Sequence, residues 1–296
     1  MMNTYCGYIA LIGRPNVGKS TLMNRLIKQK ISITSRKPQT TRHRVLGIHT
    51  KDNYQFIYVD TPGIHREEHQ AMNKMMNQTA KRVLDDVDVA VMIMDAHHWQ
   101  PEDEDILTLV KQTSKPTILV INKVDRIKDK ENLLPLIQTM QEKHTFTAII
   151  PLSARTGVQV DNLENQLQQF LPASPHFFAA DQVTDRSTKF ICSEIMREKV
   201  FRFCGQELPY ATSVEIESFK EDDKLITMHV LIIVDKENHK RMLIGNKGEK
   251  MKEMATQARL DMQRLLDKKI MLKCWVKVKS GWADNIRMLR QLGYDQ

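Results

Sequence analysis

Residues Gly13-Arg14-Pro15-Asn16-Val17-Gly18-Lys19-Ser20 follow the apolar run Tyr8-Ile9-Ala10-Leu11-Ile12 and lead into a helix-patterned stretch. Few eight-residue patterns restrict a fold so tightly. A strand feeding a glycine-rich turn into a helix start aims several backbone N–H groups at one point, with the positive end of a helix dipole behind them. Gly13 and Gly18 permit backbone conformations and close approaches that a Cβ would obstruct. Lys19 is placed to reach β- and γ-phosphates, and the Ser20 hydroxyl to ligate Mg²⁺. The flanking strand and helix argue against a chance glycine turn. A nucleoside triphosphate is the expected ligand.

The chain up to residue 171 has the pattern such a loop needs. Strand-like runs at 5–12, 43–50, 54–60, 87–94, 117–122 and 146–151 alternate with helical patterns over 18–28, 71–84, 102–112, 131–142 and 159–170. That alternation predicts an α/β domain with a mostly parallel six-stranded sheet. The runs 43–50 and 54–60 are too close for a helical crossover, so they predict an antiparallel hairpin turning at Lys51-Asp52-Asn53. Leu171-Pro172-Ala173-Ser174-Pro175 then breaks the periodicity, predicting a linker over 172–185 between domains at 1–171 and 186–296. In the second domain the pattern reads helix 187–204, strands 212–219 and 225–234, helix 248–267 and strand 270–279, an α+β unit. With 296 residues, 41% of them hydrophobic, two ordinary cores need no staple. Cys6, Cys192, Cys204 and Cys274 show no C-x-x-C spacing and read as thiols of a reducing compartment. There is no leader-like start and no apolar run near about 18 residues, so a cytoplasmic protein is expected.

Further short segments fall where phosphoryl-transfer chemistry needs them. Asp60-Thr61-Pro62-Gly63 closes the strand Phe56-Ile57-Tyr58-Val59. A carboxylate there can hold magnesium through water, and the Gly63 N–H can approach a γ-phosphate. In the polar loop Pro38-Gln39-Thr40-Thr41-Arg42 a threonine hydroxyl can complete the metal shell only while the γ-phosphate is present; residue type leaves both threonines open. Asn122-Lys123-Val124-Asp125 selects the base, because Asp125 can accept from guanine N1–H and the exocyclic amine, whereas adenine would leave the carboxylate unpaired. Ser153 and Ala154 can offer backbone N–H groups to guanine O6. His65-Arg66-Glu67-Glu68-His69 matches a metallopeptidase pattern, but its place directly after Gly63 reads as a polar loop and not a zinc helix.

In the second domain, Ile244-Gly245-Asn246-Lys247-Gly248 puts a G-x-x-G turn before a helix, where backbone N–H groups and Lys247 can meet a phosphodiester chain. The window 236–279 carries 13 Lys/Arg against 5 Asp/Glu, the electrostatic footprint of a polyanion partner. Lys250 and Lys252 add sequence-independent phosphate attraction. Ile244, Met251 and Met254 are candidate groove residues, with core packing the alternative for most of them. Trp275 and Trp282 read as packing residues, with base stacking as the second reading.

The nucleotide segments resemble the translation-factor-related GTPases, and Gly13–Ser20 with Asp60–Ile64 narrows this to the Era, EngA and MnmE neighbourhood. The turn, element order and basic window resemble a type II KH domain. A GTPase domain followed by a KH domain resembles the Era family of bacterial ribosome-assembly GTPases; EngA-type chains carry two GTPase domains, and MnmE-type chains embed theirs in a longer sequence. This resemblance implies Mg²⁺-dependent GTP hydrolysis to GDP with Lys19, Thr41, Asp60 and Gly63 in catalysis. Nucleotide binding would fall to Gly13–Ser20, Asp60–Ile64, Asn122–Asp125, Ser153 and Ala154, and magnesium binding to Ser20, Thr41 and, through water, Asp60. It implies slow intrinsic turnover, since Ile64 stands where many signalling GTPases carry a water-orienting glutamine. Asn16 implies a potassium ion beside the phosphates. RNA binding through Ile244–Gly248, Lys250 and Lys252 would engage 16S ribosomal RNA near its 3′ end, with a monomer assisting 30S maturation and touching the cytoplasmic face of the inner membrane peripherally. The alternative is an RNA-binding assembly factor whose nucleotide only stabilises its fold.

Overall fold

The computed structural model describes residues 3–35, 37, 39–63, 71–205 and 208–294. Its first domain contains β1 (Tyr5–Ile12), α1 (Lys19–Ile27), β2 (Val45–Lys51), β3 (Tyr54–Asp60), α2 (Ala71–Asp86), β4 (Val89–Asp95), α3 (Pro101–Lys111), β5 (Thr117–Asn122), α4 (Leu133–Lys143), β6 (Ala148–Leu152) and α5 (Val160–Gln168). The six strands lie in the order β2-β3-β1-β4-β5-β6, and only the β2–β3 pair is antiparallel. The hairpin closes through Asp52 and Asn53, with Asp52 at φ 54. The central strands β4 and β5 are apolar without alternation because both of their faces are covered. Ile9, Leu11, Val91 and Val120 pack on the face with α1 and α5, whereas Ala10, Met92, Leu119 and Ile121 pack on the face with α3 and α4. This order brings the carboxyl ends of β1, β3, β5 and β6 to one edge, where the sequence motifs sit.

Residues 172–185 lie along that domain. Ala173 bridges to Tyr5 and Thr184 to Gly47, and Gln55 Oε1 accepts from the Phe177 and Phe178 N–H groups at 2.8 and 3.0 Å.

The second domain contains α6 (Thr188–Phe203), β7 (Thr212–Glu221), β8 (Leu225–Val234), α7 (Glu237–Ile244), α8 (Glu249–Leu266), β9 (Lys269–Val278) and α9 (Ile286–Gln291). Its sheet runs β7-β8-β9, with β7–β8 antiparallel and β8–β9 parallel. Sequence reading omits α7 and the terminal α9, so the observed order is α-β-β-α-α-β-α. The eight-residue α7 buries only Leu243, too little apolar periodicity to stand out. Helix α6 starts at Ser187, whose side chain accepts from the Phe190 N–H. From Ile191 to Phe201 it is buried on every side, because it lies between its own sheet and the first domain.

The two domains are packed together over the segment that precedes β2. Arg42 is buried, its guanidinium donating to Thr212 O and Pro209 O at 2.8 Å, to Tyr294 Oη at 3.2 Å and to Tyr210 O at 3.3 Å. His43 meets Gly293 O at 3.0 Å, and the buried Arg197 donates to Thr40 O. Further along the interface, Met72 and Met76 of α2 pack on Leu231, Ile233 and Trp282.

Candidate nucleotide and nucleic-acid sites

A cavity of about 1020 Å³ opens at the carboxyl edge of the first sheet. It is lined by Pro15, Asn16, Gly18, Lys19, Ser20, Thr41, Gly63, Asn122, Lys123, Asp125 and Ala154 among the residues expected from sequence. The loop's geometry explains its glycines. A Cβ on Gly13 would stand 2.5 Å from Ile93 O, and one on Gly18, at φ +108, would stand 2.3 Å from Asn122 Nδ2. Gly18 is also the residue from which α1 starts, so the orphan N–H groups of the first helical turn face the cavity. The buried Lys19 Nζ donates to Gly13 O at 2.8 Å and Arg14 O at 3.1 Å, which folds it over the loop. Burial lowers its pKa to about 8 against the opposing pull of Asp60.

Three chain-distant hydroxyls converge on Asp60. Its Oδ2 accepts from Ser20 Oγ at 2.7 Å, Ser32 Oγ at 2.9 Å and Thr41 Oγ1 at 3.4 Å, and Ser20 and Thr41 lie 2.8 Å apart. Thr40 turns elsewhere, to Ser35 Oγ and Lys37 O. Asp60 is fully buried, so its carboxyl is raised above the usual range by desolvation, opposed by Lys19 and the three hydroxyls. Its Oδ1 is buried with no hydrogen-bond partner among the described residues. An orphaned carboxylate oxygen beside two hydroxyls is a hard-oxygen donor set, and it fits Mg²⁺. Ser32 is not among the site residues expected from sequence; only the fold brings it to Asp60.

At the far end, Asn122 acts as a bracket. Its Nδ2 donates to Val17 O at 2.7 Å, and its Oδ1 accepts from the Lys123 N–H at 2.8 Å and the Ala154 N–H at 3.0 Å. Lys123 Nζ spans Asn16 O and Asp95 Oδ2, both at 2.7 Å. Ser153 Oγ donates to Asp125 Oδ1 at 2.6 Å, so its hydroxyl orients the carboxylate, a role beyond the backbone one expected for it.

Other expected residues face away. Arg14 pairs with Asp103 at 3.0 Å, Thr61 Oγ1 donates to Leu11 O, and Val17 belongs to the apolar core. Gly13 and Pro62 do not line the cavity, and Val124 packs on the cluster beside α4. Ile64 and the His65–His69 pattern lie outside the described residues. Phe201 and Arg202 of α6 join the cavity wall from the second domain, which no motif announced.

The G-x-x-G turn joins α7 to α8. Gly245, Lys247 and Gly248 all have positive φ, at 74, 47 and 83. Asn246 and Lys247 are exposed at its tip, Lys252 is exposed one turn on, and Ile244 and Lys250 are half-buried. Met254 is fully buried and Met251 packs against the same core, so core packing claims both.

Comparison with known proteins follows this two-part geometry. A family profile described as 50S ribosome-binding GTPase matches residues 8–123, and one described as KH domain matches residues 207–283. GTPase Era of Histophilus somni is 53% identical over 292 residues, covering 98% of this chain and 97% of that protein. GTPase Era of Yersinia pestis is 50% identical over 292 residues, covering 98% and 96%. Among solved structures, a point variant of Aquifex aeolicus Era bound to GDP·AlF4⁻ superposes with a TM-score of 0.96 at 38% identity, covering 99% of this chain and all of that one. The structure of Era in complex with MgGDPNP and nucleotides 1506–1542 of 16S ribosomal RNA gives the same TM-score, identity and coverage.

Proposed function

This chain belongs to the Era GTPase family, and we propose that it is a GTP-driven switch whose KH domain holds the 3′ region of 16S ribosomal RNA during 30S subunit maturation. As a family member it is an RNA-binding GTPase of ribosome assembly. One observation carries the switch reading: segment 40–43 contributes Thr41 to the Ser20–Asp60 cluster and buries Arg42 in the KH domain. Anything that moves one end moves the other.

In this reading the α1 N-terminus and Lys19 bind the β- and γ-phosphates, the Gly63 N–H faces the γ-phosphate, and Asp125 accepts from the guanine edge. Ser20, Thr41 and Asp60 would hold Mg²⁺, which when bound neutralises charge building between the β- and γ-phosphates. Hydrolysis forms a bond from water oxygen to the γ-phosphorus and breaks the bridge to the β-phosphate, whose oxygen keeps the electron pair. Ile64 has no group to orient that water, so unassisted turnover is slow. Asn16 lines the cavity at the loop and would hold potassium there; equal turnover in sodium and potassium buffers would overturn that role. Peripheral membrane contact and a monomeric state complete the reading. Among the described residues no helix is long and apolar enough to cross a membrane.

The deciding experiment measures GTP turnover of the full chain with and without RNA spanning nucleotides 1506–1542 of 16S ribosomal RNA. RNA should change the rate several-fold, and Gly245→Asp should abolish that response while leaving basal turnover intact. An RNA effect that survives Gly245→Asp would remove the KH domain from the switch.

A further inference from the structure

The KH sheet has two faces of opposite character. Ile226, Met228 and Val230 of β8, with Leu272, Cys274 and Val276 of β9, pack into the core beneath α6 and α8. On the other face, Leu231 and Ile233 are covered by Met72, Met76 and Trp282. Alongside them the outward residues of β9 stay open. Trp282 is fully buried and donates its indole N–H to Ala211 O, whereas Trp275 is 39% exposed and Met271 41%. The edge of His229 steadies the Trp275 ring, with centroids 5.4 Å apart and planes at 66°. Lys269, Lys273 and Lys277 alternate with Met271 and Trp275 on the same side of the strand; of the acids on β7, Glu215 shares that face by register and the exposed Glu217 sits at the bulge next to it. Among the described residues none of these three lysines has an ion-pair partner, whereas the neighbouring Lys268 is held by Glu221 at 2.6 Å.

We propose that this outer face is a second RNA-contacting surface, on which Trp275 stacks an unpaired base while Lys273 and Lys277 meet the flanking phosphates. The proposal rests on the RNA-binding reading above and adds a site to it. An exposed indole flanked by uncommitted cations presents the two things a single strand offers partners for, a π-face and a phosphate on either side. Alternate residues of a strand stand about 6.6 Å apart, close to the step of an extended nucleic-acid backbone. The two sites share one strand: α7 and α8, which flank the Gly245–Gly248 turn, pack on the inner face of the edge strand β9, and Trp275 stands on its outer face, so RNA that reaches both must pass around that edge.

The test uses the full chain and RNA spanning nucleotides 1506–1542 of 16S ribosomal RNA, with salt titrations. Trp275→Ala should weaken binding about tenfold, and Trp275→Phe should restore most of it, because either ring can stack. Lys273→Gln with Lys277→Gln should lower the slope of log affinity against log salt by about 1.4, the value for two single-strand phosphate contacts. Photocrosslinking with 4-thiouridine RNA should mark the β9 peptide. An unshifted thermal unfolding transition in each variant reports an intact KH fold, and unchanged basal GTP turnover an intact first domain. Full affinity and slope in these variants, with binding lost in Gly248→Asp, would overturn the second surface and leave the KH groove standing. Binding retained in Gly248→Asp as well would overturn both. Undiminished RNA binding with lost binding to phosphatidylglycerol vesicles would assign the face to lipid and overturn the proposal.

Discussion

Thr41 Oγ1 lies 2.8 Å from Ser20 Oγ, while Thr40 Oγ1 lies 2.7 Å from Ser35 Oγ on the other side of the backbone. Adjacent residues in an extended segment point opposite ways, so only one of them can enter the metal shell. Thr41→Ala should lower Mg²⁺-dependent GTP turnover by about 10², the loss typical when one preorganised transition-state contact is removed. Thr40→Ala should stay within a few-fold of the parent. Steady-state turnover across a magnesium titration checks both, and equal losses would show that segment 40–43 moves before it acts. From the letters Thr-Thr alone the two hydroxyls were equivalent; the direction of the chain through them was not.

The G-x-x-G turn shows the same limit for an element. Its glycines were legible because a tight turn before a basic helix needs positive φ, but helix α7 leading into it was not. The two glycines are also unequal in space. A Cβ on Gly245 would meet Lys250 Cβ at 2.6 Å, while one on Gly248 would meet nothing within 4 Å. Gly248→Ala should therefore cost only about 1 kcal/mol, the left-handed penalty. Gly245→Ala adds a clash with the start of α8 and should cost about 2 kcal/mol or more. Denaturant unfolding of the two variants tests that order, and Gly248→Ala being the less stable would refute it.

Over the whole molecule, the domains meet through buried charge. Within α6 Glu194 accepts from Arg197 Nε and Nη2 at 2.6 Å and holds the guanidinium that reaches Thr40 O across the interface, and Glu198 accepts from the Thr34 N–H at 3.2 Å and from Lys30. Arg42→Ala would leave three carbonyls and the Tyr294 hydroxyl short of a donor. The expected cost is about 3 kcal/mol, and calorimetry should then resolve two unfolding transitions in place of one. A single unshifted transition would mean that Arg42 does not join the domains. Acid should act at the same place. Burial lowers the His43 pKa from 6.5 to about 4, with Glu194 opposing and Arg197 and Arg186 adding to the shift. The unfolded chain therefore takes up this proton first. The stability His43 contributes is complete above pH 6.5 and is lost, by about 3 kcal/mol, as pH falls to about 4. Burial would raise the Glu194 carboxyl, but the charge and hydrogen bonds of Arg197, with His43 and Arg42, together hold it below the usual range, so its contribution is lost at still lower pH. Stability curves from pH 7 to 4 should flatten in His43→Gln.

Local spacing is enough to encode the chemistry of each half. A phosphate loop, a carboxylate at a strand end, Asn122 with Asp125, and a G-x-x-G turn each work within a few residues, so the order of letters carries them. The α/β class followed too, because alternating strands and helices leave few topologies. How the halves are joined is settled only once the chain has folded. Arg42 and Thr212 are 170 residues apart, and Thr34 and Glu198 are 164 apart. No local pattern marks an arginine that will be buried by another domain, since its partners are carbonyls that every residue carries. Docking also separated the two tryptophans, burying Trp282 against α2 and leaving Trp275 open beside its lysines.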